Sequence, residues 1–267
     1  MFVSSELRDI ASIDTLIDTM AATEGETYRQ VPGRRTFRFE HGGKGYFAKI
    51  HFGVGWREII KNYLQFRAPV VDASNEFRAI HRLQGLDIDT LTPVAYAARG
   101  KNPATRQSCL VTAELLNTIS LEDLVRQGGI SPVLKRALIA KVAWICKTMH
   151  RSGLNHRDLY ICHFHLDLSS MSPLRLYVID LHRAQLRDKT PRRWIVKDLG
   201  ELLFSTAEAG LTKRDLLRFV RAYSDRSLRD ALRYERRFWR DVRSRADRLD
   251  DREAANQAAM SRAGPGT

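Results

Sequence analysis

Long apolar runs are missing from this sequence. Stretches such as Leu110-Val111 and Leu202-Leu203-Phe204 fall far short of the ~20 residues that a membrane span requires. No basic, then apolar, leader opens the chain: residues 1–26 hold six acidic side chains against the single Arg8. A soluble, cytosolic-type protein is the expectation. Cysteine is scarce too. Cys109, Cys146 and Cys162 are too few and too scattered for a disulfide framework or a zinc site, which leaves reduced thiols in a cytosol. Low-complexity sequence and internal repeats are absent before the Ala/Gly-rich stretch that begins near Ala254.

What is present is a globular composition. The 267 residues are 43% hydrophobic and 28% charged, enough to bury a core and too apolar for a disordered chain. The 44 basic against 31 acidic residues give a net charge of +13. Nucleic acid, an anionic lipid surface, a phosphorylated sugar or an acidic protein would each be attracted, and charge alone does not choose among them. The imbalance is strongest near the end, where residues 213–252 carry fourteen basic and eight acidic side chains. There Arg229, Arg233, Arg236, Arg237, Arg240 and Arg243 recur at three- and four-residue intervals, as one basic face of a helix would.

Periodicity divides the chain. Residues 1–26 read as an acidic helix or extension with Leu7, Ile10, Ile13 and Ile17 on one face. From Thr27 the pattern turns to strands: 36–40 and 45–50 alternate around His41-Gly42-Gly43, and Pro32-Gly33 makes an earlier turn. Helical spacing follows over 56–66 and 75–83, and a buried strand over 108–112. After a connector near residue 114, Ser120 with Asp123 resembles a capping box, and beyond Pro132 the chain reads as mostly helical. The resulting organisation is an extension (1–26), a strand-rich lobe (27–114), a helical lobe (115–253) and a tail (254–267), with a cleft expected between the lobes. The helix 56–66, with Trp56, Ile59, Ile60, Tyr63 and Leu64 apolar and Arg57, Lys61 and Arg67 beside them, is expected to pack on the small lobe rather than lie on a membrane.

The chemistry concentrates in a few segments. His156-Arg157-Asp158-Leu159 matches the opening of a protein-kinase catalytic loop, whose Asp accepts the proton of the attacking hydroxyl. Five residues on, where such loops carry an Asn that ligates magnesium, stands His163. The strand-like run 176–179 delivers Asp180-Leu181-His182 in the place of Asp-Phe-Gly, so Asp180 is the candidate metal ligand. Upstream, Tyr46-Phe47-Ala48-Lys49 ends a strand as a phosphate-binding lysine would, and Glu76 on the following helix is its candidate ion-pair partner. The phosphate-covering turn, 31–36, has only Gly33 where protein kinases carry three glycines, and Arg34 and Arg35 are set to supply charge instead. Asp198 either accepts hydrogen bonds from the catalytic-loop backbone or caps a helix. Eighteen residues separate Asp180 from Asp198, with no Ala-Pro-Glu between them, which favours a small molecule or sugar over a peptide as acceptor. His51, His81, His150 and His165 read as packing or surface residues.

Gly33-Arg34-Arg35-Thr36, the run Tyr46 to Trp56, Asn155-His156-Arg157-Asp158 with Tyr160 to Phe164, and Val178 to Gln185 together resemble the lipopolysaccharide core heptose(I) kinases of Gram-negative bacteria. The likeness runs from about Thr27 to Tyr223. It implies a two-lobed, protein-kinase-like α+β fold and an ATP-dependent, Mg²⁺-requiring kinase (Mn²⁺ being the alternative) that phosphorylates O4 of the first inner-core heptose. In that reading Asp158 is the base, with Arg157 steadying the loop or contacting the acceptor. Lys49, Glu76, Gly33, Arg34 and the connector residue Glu114 serve the nucleotide, and Asp180 holds the metal. His163 either joins Asp180 or contacts phosphate, since Mg²⁺ prefers oxygen and imidazole suits softer metals. The resemblance also implies work at the cytoplasmic face of the inner membrane on a lipid A-core acceptor. The basic helical face of 229–243 is either a solvated, partly ion-paired face or one that meets an anionic membrane surface or an acidic protein partner. Nucleic acid is disfavoured. The competing readings are a kinase for another small molecule, a protein kinase, and a catalytically silent module that binds RNA or an acidic protein.

Overall fold

The computed structural model describes residues 1–64 and 69–263, and divides into two compact units: 1–117 with 178–183, and 118–177 with 184–267.

The first unit is built on a six-stranded antiparallel sheet. In chain order its elements are β1 (Phe2–Val3), α1 (Leu16–Ala22), β2 (Glu26–Val31), β3 (Arg34–His41), β4 (Lys44–His51), α2 (Gly55–Leu64), α3 (Ser74–Gln84), β5 (Pro93–Arg99) and β6 (Gln107–Ala113). The spatial order is β1-β5-β6-β4-β3-β2. The β3–β4 hairpin forms as its alternation predicts, and Gly42 and Gly43 both adopt positive φ between the strands (56° and 74°), the conformation that a two-residue hairpin turn demands. Phe37, Phe39, Tyr46, Ala48 and Ile50 bury one face of that hairpin, which puts Thr36 and Lys49, cross-strand partners, on the other.

Two expectations fail in this unit. The single helix read over the first twenty-five residues does not form. Only Leu16–Ala22 is α-helical, while Phe2–Val3 pairs with β5 as an edge strand. Leu7, Leu16, Ile17 and Met20 are buried on the sheet core, whereas Ile13 is exposed. Each buried side chain of this kind contributes about 1.5–3 kcal/mol, so the segment is part of the sheet's own core. Its acidic groups meet basic ones on the sheet: Glu6 with Lys44, Asp9 with His41, Asp18 with Arg99. Helix α2 departs from expectation as well. Ile59 is buried, but Trp56, Ile60, Tyr63 and Leu64 are exposed, at 53% to 77%. The remainder of that predicted helix, Gln65 and Phe66, lies outside the described residues, as does the flanking Arg67.

The second unit is mostly helical: β7 (Thr118–Ser120), α4 (Leu121–Gln127), α5 (Pro132–Arg151), β8 (Leu154–Asn155), β9 (Phe164–Met171), β10 (Leu174–Val178), β11 (Gln185–Leu186), α6 (Arg192–Ser205), α7 (Lys213–Tyr223), α8 (Leu228–Tyr234) and α9 (Arg236–Ala263). Ser120 caps α4 by accepting the Asp123 N–H, and Thr212 and Asp215 form a full capping box on α7. α6 packs closely on α9 at Gly200, where a Cβ would stand 2.6 Å from the Arg245 Cβ. The arginine face is exposed at Arg229, Arg233, Arg236, Arg237, Arg240 and Arg243, but Glu235 divides it between α8 and α9. α9 continues through the stretch beginning at Ala254, read as a tail, as far as Ala263.

Candidate active site

Two clusters of candidate residues form, one in each unit. In the first, β4 presents Lys49 from the face opposite Tyr46, Ala48 and Ile50, and α3 presents Glu76 from one of its buried positions. The Lys49 ammonium donates to Glu76 Oε1 at 2.6 Å and lies 3.6 Å from Asp180 Oδ1. Burial opposes the charge on Lys49, yet Glu76 and then Asp180 outweigh it, and its pKa stands above the ordinary value. Lys49 is therefore a fixed cation at neutral pH, braced by a carboxylate that is 1% exposed.

Asp180 follows β10 in the left-handed region, φ 57°, which Asp tolerates better than most residues. Its Oδ1 accepts from His182 Nδ1 at 2.6 Å. Thr36 stands opposite Lys49 in the β3–β4 ladder, and Arg34 stands opposite His51. Arg34 thus shares the Lys49 face. Burial and then Arg29 lower its pKa, while Asp180 and Glu76 pull it back, so it sits in the field of the same cluster. Arg35 is on the opposite face: it donates to the Thr23 carbonyl and lies over the Phe37 ring at 4.0 Å. Strand alternation alone separates these two arginines. Gly33 has φ 78°, accepts from Phe52 N–H at 2.8 Å, and would push a Cβ to 2.4 Å from the Gly53 carbonyl. Only glycine meets both demands. Its neighbour in this fold, His51, is 3% exposed with no partner for Nδ1 among the described residues, and burial with the nearby Arg34 lowers its pKa to about 4. The carboxylate of Glu114 is engaged in a forked pair with Arg38, both contacts 2.8 Å, while its N–H donates to the Gly45 carbonyl.

In the second unit the catalytic-loop motif is held from below by α6. That helix begins at Arg192, not at Asp198, so capping is not the role of Asp198. This aspartate is fully buried; Oδ2 accepts the His156 N–H at 2.7 Å and Oδ1 the Arg157 N–H at 2.9 Å. His150 adds a 3.4 Å contact and is itself hydrogen-bonded to the Tyr223 hydroxyl. Burial alone would raise the Asp198 pKa, but His150 and the loop amides prevail and it falls below the usual carboxylate value. The clamp keeps Arg157 at φ 76°, a costly backbone for a long side chain, and thereby fixes where Asp158 begins. Lys197 completes it by donating to the Arg157 carbonyl and to Glu201 Oε2, with Glu201 in turn bound by Arg245 of α9. His163 Nδ1 donates to the Asp158 carbonyl at 2.8 Å, so that nitrogen carries a proton and is not a metal donor.

Sequence reasoning missed Lys197, Arg245 and His182, because a polar side chain on a helix or turn carries no sign of the distant atom it will meet. Among the described residues no three His, Cys, Asp or Glu side chains converge as a metal cage. Asp180 suits Mg²⁺ nonetheless: a hard carboxylate, partly exposed, is what that ion uses together with water and phosphate oxygens.

A lysine braced by a buried carboxylate, an adjacent aspartate, and a clamped His-Arg-Asp loop are the parts that phosphoryl transfer from a nucleotide uses. Comparison with known proteins agrees. Residues 18–223 match the lipopolysaccharide kinase (Kdo/WaaP) family. The lipopolysaccharide core heptose(I) kinase WaaP of Pseudomonas aeruginosa is 48% identical over 242 residues, covering 88% of this chain and 90% of that protein. WaaP of Escherichia coli K12 is 45% identical, covering 85% and 88%. A solved structure of WaaP in complex with acyl carrier protein is similar at a TM-score of 0.79 and 42% identity, covering 93% of this chain and 98% of that one. The chain belongs to the lipopolysaccharide kinase (Kdo/WaaP) family.

Proposed function

We propose that this protein is a lipopolysaccharide core heptose(I) kinase that transfers the γ-phosphoryl group of ATP to O4 of the first heptose of the inner core. The observation that carries this reading is the Lys49–Glu76–Asp180 cluster, 2.6 Å and 3.6 Å, in a chain that is 48% identical to a kinase of that name. Lys49 places its charge on the nucleotide phosphates and Glu76 keeps it in position. Arg34, on the same face, supplies charge where other kinases use glycine-loop amides. The backbone carbonyl of Glu114 meets the adenine, since its carboxylate is taken by Arg38 and its N–H by the Gly45 carbonyl. Asp180 would hold Mg²⁺, which supplies charge neutralisation on the phosphate oxygens. Asp158 accepts the proton of the heptose hydroxyl as that oxygen bonds to the γ-phosphorus and the bond to the bridging oxygen of ADP breaks. His163, through the Asp158 carbonyl, fixes the loop and serves as a positioning residue. Initial rates on core oligosaccharide, an aminoglycoside and a peptide mixture test the acceptor class. Transfer to the oligosaccharide alone supports it, and faster transfer to either of the others rejects it.

The location and partners follow the same reading. The exposed Trp56, Ile60, Tyr63 and Leu64 on α2, flanked by Arg57 and Lys61, form an interfacial helix for an anionic membrane surface. No described helix is long and apolar enough to cross a membrane. The exposed arginines of α8 and α9 suit an acidic protein such as acyl carrier protein. In the same unit a cavity of about 360 Å³, lined by Leu124, Ile139, Val142, Leu199 and Phe219, suits an acyl chain. Tighter binding of acyl-loaded than of unloaded carrier protein checks this, and equal binding rejects the cavity's part in it.

A further inference from the structure

We propose that Arg187, Arg193 and Trp194, together with Arg157, form a binding site for an anionic group of the sugar acceptor, a carboxylate or a phosphate. The inference rests on the kinase reading and names what selects its acceptor.

Three guanidinium groups of the second unit gather on one indole. The Cζ atoms of Arg157, Arg193 and Arg187 lie 5.2, 5.3 and 5.9 Å from the centre of the Trp194 ring. Cation–π attraction offsets part of the repulsion between neighbouring guanidinium groups, and the excess positive charge here is that of Arg187 and Arg193. Among the described residues neither Arg187 nor Arg193 has a carboxylate within ion-pair distance. Arg187 donates to the neutral amide oxygens of Asn155 (2.7 Å) and Gln185 (2.5 Å). Arg192, one residue before Arg193, does find an acid, Asp241 at 2.6 Å. Burial and, after it, the charge of Arg193 lower the Arg187 pKa.

A second observation is independent of charge. Buried polar atoms nearly always find partners. Here the Asn155 amide nitrogen, the Thr190 hydroxyl and the Trp194 indole nitrogen are all buried without one among the described residues. Asn155 is fully buried and Thr190 is 3% exposed. Two of the three are obligate donors and the third can donate, so Asn155, Thr190 and Trp194 together leave three donor groups without an acceptor among the described residues. An anion with several oxygens is the complement of such a set, and guanidinium forks bind carboxylate and phosphate alike.

Position ties the cluster to the chemistry. Asn155 and Arg157 belong to the loop that carries Asp158, and Trp194 precedes by one turn of α6 the Lys197 and Asp198 that clamp it. Arg193 is exposed and Arg187 partly so, which leaves the cluster reachable from solvent. An acceptor whose acidic group rests here has its neighbouring hydroxyls fixed relative to Asp158.

The test uses the full chain with Arg193→Ala, because Arg187 also braces Asn155. Acceptor KM is measured on core lipopolysaccharide lacking heptose phosphate, on the same material with its sugar-acid carboxyls reduced to alcohols, and on the same material with its lipid phosphates removed. Arg193→Ala is expected to raise the acceptor KM about tenfold on the intact material, with kcat and ATP KM within about threefold. Arg193→Lys should restore part of the loss. On the material that lacks the recognised group, wild type and variant should have the same KM, and the arm in which they converge identifies carboxylate or phosphate as the source. An unchanged KM on the intact acceptor, or the same rise on all three, overturns the site. Absence of transfer by wild type to any acceptor rejects the kinase reading instead. In that case equilibrium binding of the intact acceptor to wild type and Arg193→Ala decides the site, equal affinities overturning it.

Discussion

Replacing Asp198 by Asn removes one negative charge and swaps one acceptor oxygen for a donor, with almost no change of shape. The native carboxylate accepts the His156 and Arg157 N–H groups at 2.7 and 2.9 Å, and it is ionised although fully buried. An amide can accept from only one of them. Its NH₂ then faces the other N–H, so one charge-assisted hydrogen bond is lost, at about 1.5–3 kcal/mol. One buried donor is stranded at a further ~1–3 kcal/mol. Relief of charge burial returns a part, which leaves a net loss of roughly 3 kcal/mol and a fall in Tm on the order of 10 °C. Arg157 at φ 76° has the most to gain by relaxing, and Asp158 moves with it. A displacement of about 1 Å costs roughly 100-fold in rate. The Lys49 cluster belongs to the other unit, so affinity for ATP should hold within about threefold. Thermal melts, nucleotide titration and initial rates on one preparation read all three quantities. A variant that melts within about 2 °C of wild type and keeps more than a third of its kcat would refute the clamp.

Other outcomes follow from the same geometry. Lys49→Met leaves Glu76 buried without its cation and should weaken ATP binding by about 10- to 100-fold, measurable by calorimetry; unchanged affinity would remove Lys49 from the nucleotide site. Gly200→Ala forces a Cβ to 2.6 Å from the Arg245 Cβ and 3.2 Å from the Val242 carbonyl. It should destabilise by about 1–3 kcal/mol in urea titrations, and a neutral result would contradict the α6–α9 packing. The pKa of His51 is lowered to about 4 from the ordinary imidazole value of 6.5, so the unfolded chain binds the proton first as pH falls. Its contribution is complete above pH ~6.5 and is lost progressively toward pH ~4, about 3 kcal/mol in all. His51→Asn should flatten that part of the stability–pH curve, and an unchanged slope would place the cause elsewhere.

How much of this was legible in the sequence depends on the range of the interaction. The β3–β4 hairpin announces itself in a local alternation, and the Ser120 cap in a three-residue spacing. Lys49 and Glu76 are legible because each motif fixes its own element, and the fold supplies only their meeting. The same motif logic extends to Asp198 but misplaces the start of its helix, since Pro191 rather than the aspartate opens α6. The first twenty-five residues misled because Ile13 lies at helical spacing yet ends exposed, while Phe2–Val3 completes a sheet edge that only β5 defines. Helix α2 misled differently. Its apolar spacing is that of a packed helix, and periodicity cannot say whether a partner surface exists. Arg187 and Trp194 carry no local signal, because their significance lies in convergence on one ring.

The most direct measurement is radiolabelled phosphate transfer from ATP to core lipopolysaccharide lacking heptose phosphate, by wild type and by Asp158→Asn side by side. Label on the first heptose with wild type, and a loss of at least about 100-fold with the variant while ATP binding persists, is the result the account predicts. Equal labelling by both proteins, or label on another sugar, would contradict it.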